Sequence, residues 1–122
     1  LHYQMPKGEI ANSREDMTFL TQFEDGSNMK LQCFGPAGMS MKKEPGWCST
    51  AYRKRYKRMN VSFNVRKDSE EAVRYITVIY PVKKSADAPK FDAKFKNKAF
   101  DENGLEVEVK VNGKKQSLKY KL

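Results

Sequence analysis

A short basic segment, residues 52–58, is the part of this sequence best suited to chemistry with a charged partner. The surrounding residues 45–67 contain 7 Lys or Arg and no Asp or Glu. Guanidinium groups bind sulfate and phosphate oxygens in a bidentate manner, and ammonium groups add point charges. We therefore predict a polyanion-binding site formed by Tyr52, Arg53, Lys54, Arg55, Tyr56, Lys57 and Arg58.

A competing interpretation is that the basic segment lies on an edge strand, where its cations prevent the strand from pairing with other chains. If the segment is extended, alternation places Arg53, Arg55 and Lys57 on one face. The other face then carries the remaining four side chains, Tyr52, Lys54, Tyr56 and Arg58.

The single tryptophan, Trp47, lies just before the basic segment and follows Pro45-Gly46. Trp is on average a strongly buried residue. We therefore expect the Trp47 side chain to be buried in the hydrophobic core. The alternative is that its ring is exposed and forms a candidate sugar platform beside the cations.

Catalytic chemistry finds little support in these residues. His2 is the only histidine, and it lies where fraying is expected. Glu106 and Glu108 alternate with valines, so we expect them on a solvated strand face. Neither a glycine-rich phosphate loop nor His/Cys metal spacing is present. We predict no catalytic residue, no metal site and no cofactor in this chain.

Length and charge bound the remaining possibilities. The chain has 122 residues, which predicts a single domain over 1–122. Residues 1–44 carry 5 Lys or Arg against 6 Asp or Glu, whereas residues 45–122 carry 19 against 9. Such a basic half favours nucleic acid, anionic lipid or sulfated sugar as partners.

No apolar run approaches ~18 residues, so we expect no membrane-spanning helix.

Period-two alternation of apolar and polar residues predicts β-strands through most of the chain. Residues 17–23 and 29–33 form one predicted hairpin, joined by an Asp-Gly turn. Residues 91–95 predict a further strand. Short strands separated by turn signals predict an all-β protein, either a sandwich or a barrel, and we favour an antiparallel β-sandwich.

Two strands carry specific expectations about burial. Residues 73–80 are apolar on both faces, which predicts a central strand that ends at Pro81. Residues 61–65 alternate, with inward Val61, Phe63 and Val65 and outward Ser62 and Asn64.

The clearest hairpin joins Leu105–Val111 to residues 116–122 through Asn112-Gly113. Both positions of such a turn need a positive φ, which Asn and Gly tolerate. A two-residue turn fixes the register. We expect Val107 opposite Leu118 and Leu105 opposite Tyr120 on the core face, and Glu106 opposite Lys119 on the outer face.

The two cysteines do not make a disulfide framework. Cys33 alternates in step with Met29 and Leu31, so we expect it to be a buried free thiol. A Cys33–Cys48 disulfide is the alternative, and it would require an oxidising compartment.

Three stretches together resemble the final β-region of the heparinase II/III-like polysaccharide lyases. They read EDGSNMKLQCFG, EPGWCSTAYRKRYKR and VSFNVRKDSEEAVRYITVIYPV, and the likeness covers about residues 1–82. The resemblance implies a large exported protein in which a helical toroid precedes antiparallel sheets, and which cleaves acidic, often sulfated polysaccharides by β-elimination. The family's catalytic Asn, Tyr and His lie mainly in the toroid and the earlier β-region, and no segment here matches them.

The resemblance thus implies a non-catalytic C-terminal β-sandwich, cut from a periplasmic or secreted chain; the start at Leu1 rather than Met fits that. Its partners would be the missing N-terminal catalytic domain, an acidic polysaccharide, or both. The alternatives are a single-stranded nucleic-acid-binding β-barrel and a purely structural interaction domain. Nucleic acid is disfavoured, because binders of that kind stack bases on exposed aromatic rings, and most aromatic residues here alternate with polar ones.

Overall fold

The computed structural model describes residues 1–97, 101–102 and 104–121. Within those residues all strand pairings are antiparallel, and the one helical element is a single 3-10 turn at Ser85–Asp87. The predicted all-β, antiparallel class is therefore confirmed. No helix in this described part is long and apolar enough to cross a membrane.

The chain divides into two compact units, residues 1–87 and residues 88–122. The strands of the first unit are β1 (His2–Gln4), β2 (Ile10–Ser13), β3 (Thr18–Thr21), β4 (Asn28–Phe34), β5 (Ser40–Ala51), β6 (Lys54–Asn64) and β7 (Ile76–Val82). The strands of the second unit are β8 (Phe91–Phe95), β9 (Leu105–Val111) and β10 (Lys114–Tyr120).

The first unit contains two sheets that share one core. Strands β1, β6 and β5 form one sheet in that order, and β2, β3, β4 and β7 form the other. Phe19 of β3 and Phe63 of β6 are both buried, with ring centroids 5.4 Å apart. The Tyr3 hydroxyl also donates a hydrogen bond to Thr77 Oγ1 at 3.0 Å. Burial of each large apolar side chain contributes roughly 1.5–3 kcal/mol, so these contacts hold the two sheets together.

The predicted hairpin over residues 17–33 is confirmed. Strands β3 and β4 pair with Phe19 opposite Leu31, and Gly26 in the connecting turn has φ 77°. The Asn28 side-chain oxygen accepts hydrogen bonds from the Thr21 hydroxyl at 3.1 Å and the Phe23 N–H at 2.6 Å. Asn28 thus provides a hydrogen-bond acceptor for one side-chain donor and one backbone donor that are not paired between the two strands.

Two details of strand β6 differ from expectation. Val61 and Phe63 are buried as predicted, but Ser62 is also buried, and the strand ends at Asn64, before Val65. Strand β6 lies between β1 and β5, and the Ser62 hydroxyl accepts a hydrogen bond from the Asn64 amide at 3.0 Å. Flanking strands on both sides therefore cover a polar side chain that alternation alone places outside.

The prediction for residues 73–80 is wrong. Strand β7 begins at Ile76, continues through Pro81 and lies at the edge of its sheet, where it pairs with β4. Its Ile79 side chain is exposed. Proline has no N–H to donate and is accommodated on edge strands. Pro81 thus indicates the edge position and does not end the strand.

The second unit is a three-stranded sheet in the order β10-β9-β8. Its predicted register is confirmed, with Val107 opposite Leu118, Leu105 opposite Tyr120 and Glu106 opposite Lys119. The turn residues Asn112 and Gly113 have φ values of 48° and 80°. The Asn-Gly signal therefore fixed the pairing correctly.

Burial in this second sheet differs from the prediction. Leu118 and Tyr120, expected on the core face, are 62% and 60% exposed. Glu108, expected on a solvated face, is only 3% exposed. Leu118 and Tyr120 belong to β10, which is an edge strand, whereas Glu108 occupies the middle strand.

Candidate polyanion-binding site

Strands β5 and β6 form a long hairpin, here called the basic hairpin, whose tip carries the basic segment. Trp47 pairs with Lys57 and Cys48 with Tyr56, and the register then shifts before Ala51 pairs with Lys54. Tyr52 and Arg53 form the turn, where Arg53 adopts φ 61°. The basic segment is therefore extended only from Lys54 onwards, because the chain reverses at Tyr52-Arg53.

Trp47 is not in the core and is 58% exposed. The hairpin residues that pack against the core, Met41, Met59, Val61 and Phe63, lie towards its open end. Trp47 lies nearer the tip, where cations flank its ring. The Arg55 guanidinium carbon is 5.4 Å and Lys57 Nζ 5.8 Å from the ring centroid. Cation–π attraction of roughly 0.5–1 kcal/mol per exposed pair holds the two cations beside the indole.

The opposite face of the hairpin carries Tyr56 and Arg58, as alternation predicted. A hydrogen bond with Cys48 raises the pKa of Tyr56, and the nearby charge of Arg58 opposes the shift. The phenol therefore remains a neutral hydrogen-bonding group at neutral pH. Arg58 is half-buried opposite Gly46, where the Asn60 amide occupies the space that a Cβ would need.

The cations of the basic segment have no acidic partners among the residues that the structure describes. All ion pairs found there involve other lysines. The Arg53 guanidinium carbon instead lies 5.2 Å from the ring centroid of Tyr52, which is 87% exposed at the turn. Uncompensated positive charge beside exposed aromatic rings attracts an anionic partner and offers it apolar contact.

The structure brings together the three groups Trp47, Arg55 and Lys57 on one face, and Arg53 with Tyr52 at the turn. Tyr56 and Arg58 face away from them. Along the chain, the exposed Lys54 lies between Arg53 of the turn and Arg55 beside the indole. The candidate residues thus lie on two faces, as alternation predicts, and Tyr52 and Arg53 form the turn between the two strands.

The remaining candidate residues do not assemble into a reactive centre. His2 is an exposed residue of β1, opposite Ser62. Within the described residues no group of three His, Cys, Asp or Glu side chains is arranged to hold a metal ion. Both cysteines are free, and Cys33 is buried as predicted. Burial raises the pKa of the Cys33 thiol, against the opposing effect of its hydrogen bond with Thr77.

A second concentration of charge was missed by the sequence reasoning. Lys94, Lys96 and Lys115 surround the buried carboxylate of Glu108 in the second unit. The available signal was the alternation of lysines in residues 94–96 and of glutamates in residues 106–108. That signal becomes informative only when the pairing of three strands is known.

Comparison with known proteins gives clear relatives. No family model matches the chain. A heparin-sulfate lyase of Bacteroides stercoris is 88% identical over all 122 residues, and one of Bacteroides thetaiotaomicron is 32% identical over 103 residues. The solved structure of a heparinase III gene product matches the whole chain at 95% identity with a TM-score of 0.94. A second heparinase III crystal structure matches with 28% identity and a TM-score of 0.89.

Fold and site together define an antiparallel β module that exposes a cationic, aromatic hairpin tip. The module spans only a small part of its relatives, 18% and 15% of the two lyase sequences and 19% of the two solved chains. The chain is a homologue of the C-terminal part of the heparinase III-like lyases. The resemblance stated from the three sequence stretches is thereby confirmed.

Proposed function

We propose that this chain is a non-catalytic part of a periplasmic or secreted polysaccharide lyase, and that its basic hairpin contacts an acidic polysaccharide. The relatives are named heparin-sulfate lyases, which supports a sulfated polysaccharide as the ligand. The family resemblance supports export. The reaction itself is assigned to the rest of the parent chain, because this chain spans only 18% of the Bacteroides stercoris lyase and 19% of the heparinase III chain.

One observation carries the proposal, the exposed indole of Trp47 with Arg55 and Lys57 beside it. Arg, Trp and Tyr are enriched where proteins bind partners tightly, because they combine apolar area with polar groups. The guanidinium and ammonium groups supply donors for sulfate or carboxylate oxygens. The indole supplies an apolar surface for the sugar ring between them.

Binding at such a site is expected to be modest and collective. Each exposed ion contact is worth about 0–1 kcal/mol. Added salt weakens these contacts, because the Debye length shrinks from ~10 Å at 0.1 M to ~3 Å at 1 M. Affinity for a polyanion should therefore fall steeply with ionic strength.

Chromatography on immobilised heparin tests the proposal with a matched pair of variants. The R55Q/K57Q variant removes the two cations beside Trp47. The R66Q/K67Q variant removes two exposed charges just after β6, so both variants have the same net charge. We expect R55Q/K57Q to elute at clearly lower salt than R66Q/K67Q. Equal losses would show that retention reflects net charge and not a site.

A second candidate function is bracing of the rest of the lyase. Exposed apolar side chains at Ile79, Leu118 and Tyr120 favour it, since such groups often mark protein contacts. Failure of the unmodified chain to bind heparin at low salt would contradict the polysaccharide contact and favour the bracing role.

A further inference from the structure

Glu108 is a nearly buried carboxylate at the centre of the second sheet, and three ammonium groups surround it. Lys94 Nζ lies 3.6 Å from its Oε1 atom. Lys96 Nζ and Lys115 Nζ lie 3.6 Å and 2.7 Å from its Oε2 atom. We call Lys94, Lys96 and Lys115 the lysine cluster.

The sheet brings these four residues together from its three strands and from the residue that follows β8. Lys94 of β8 is the direct cross-strand neighbour of Glu108 in β9. Lys96 follows β8, where its N–H donates a hydrogen bond to the Glu106 carbonyl at 2.9 Å. Lys115 is the second residue of β10, on the other side of β9. The arrangement thus depends on the register of the whole sheet.

The cluster carries an excess of positive charge. The hydrogen bond from Lys115, with the charges of Lys94 and Lys96, lowers the pKa of Glu108 against the opposing effect of burial. Glu108 is therefore ionised at neutral pH, where three ammonium groups face one carboxylate. All three lysines are exposed, whereas Glu108 is not.

The geometry favours an oxoanion over the cluster. An ammonium group has three N–H donors, so a contact with Glu108 leaves donors free to point outwards. Three like charges repel one another unless a counter-charge lies between them. The buried carboxylate provides that counter-charge from beneath and leaves the solvent side of the ammonium groups accessible.

We propose that the lysine cluster is a second binding site, for a sulfate group of an acidic polysaccharide, with Glu108 as its positioning residue. The ligand class rests on the proposed function of the parent lyase. The site itself is separate from the basic hairpin, and each is removed by its own substitutions.

Calorimetric titration with a heparin oligosaccharide at low salt separates an organised site from bulk charge. Glu108→Gln and Glu106→Gln each remove one negative charge from strand β9. Glu106 contacts Lys119, 3.5 Å away, and accepts a hydrogen bond from Ser117, so it serves as the matched control. We expect Glu106→Gln to bind as well as the unmodified chain or better, and Glu108→Gln to bind about threefold more weakly, the scale of a surface ion contact. Equal affinities of the two variants would overturn the proposal.

A second pair of variants covers the case in which Glu108→Gln does not fold, which thermal unfolding would reveal. K94Q/K96Q removes two members of the cluster. K110Q/K119Q removes two lysines of the same sheet that pair with Asp92 and Glu106. We expect the larger loss of affinity from K94Q/K96Q, and equal losses would overturn the cluster as a site.

The same titration in the R55Q/K57Q background distinguishes the two proposals. If R55Q/K57Q weakens binding while K94Q/K96Q matches its control, the basic hairpin stands and the lysine cluster falls. If K94Q/K96Q alone weakens binding, the cluster stands and the basic hairpin falls. Additive losses support both sites.

Discussion

The basic hairpin and the β9–β10 hairpin are both antiparallel and rich in cations, yet they expose different surfaces. In the basic hairpin, cations lie beside the rings of Trp47 and Tyr52. In the second hairpin, lysines pair with Glu106 and Glu108. Composition alone therefore does not decide what surface a basic strand presents. The cross-strand neighbours decide it, because they place the cations either beside exposed aromatic rings or around a buried carboxylate.

The turns of the two hairpins differ in the same way. Asn112-Gly113 closes β9 and β10 in a continuous register. Tyr52-Arg53 closes the basic hairpin after a register shift, and it places a bulky residue at a positive φ. Arg53 is disfavoured at a positive φ, but it places a guanidinium group at the tip of the basic hairpin. Asn112 and Gly113 tolerate a positive φ, and neither side chain is charged.

The largest expected effect on the free energy of unfolding distinguishes the open end of the basic hairpin, which packs against the core, from its exposed tip. Phe63 is fully buried against Phe19 and Tyr3, so Phe63→Ala should lower the free energy of unfolding by about 3–5 kcal/mol. Trp47→Ala, in the same hairpin, should lower it by at most about 1–2 kcal/mol, because the exposed ring loses only its two cation–π contacts. Urea denaturation measures both. A comparable loss from Trp47→Ala would mean that the indole is structural.

A smaller effect is expected at the two turns, with opposite signs. Gly113→Ala should destabilise by about 1 kcal/mol, because φ is 80° and an L side chain is disfavoured there. No atom lies within 4 Å of the added Cβ, so a steric clash does not contribute. Arg53→Gly should stabilise by up to about 1 kcal/mol, since it relieves the same conformation. Thermal unfolding of the two variants checks the signs, and destabilisation by Arg53→Gly would contradict the turn assignment.

The sequence was informative where local chemistry determines structure. The Asn-Gly turn and the alternation in residues 105–111 were sufficient for the register of β9 and β10, because a two-residue turn leaves no freedom in the pairing. The density of cations in residues 52–58 likewise located the candidate site. Both features depend on residues that are close together in the chain.

Features that depend on distant partners could not be predicted. The buried state of Glu108 requires lysines from β8 and β10, which alternation in β9 does not reveal. The edge position of β7 depends on which strand is its neighbour, and its apolar composition suggested a central strand. Trp47 is exposed because the core contacts of the basic hairpin lie towards its open end.

The intrinsic fluorescence of Trp47 tests the central claim most directly, because the chain contains 1 Trp and that residue lies in the proposed contact. Titration with a heparin oligosaccharide at low salt should change the emission in a saturable manner. R55Q/K57Q should shift the midpoint to about fivefold higher concentration, the effect of losing exposed ion contacts. Unchanged emission while the oligosaccharide demonstrably binds would contradict the claim that the basic hairpin is the contact.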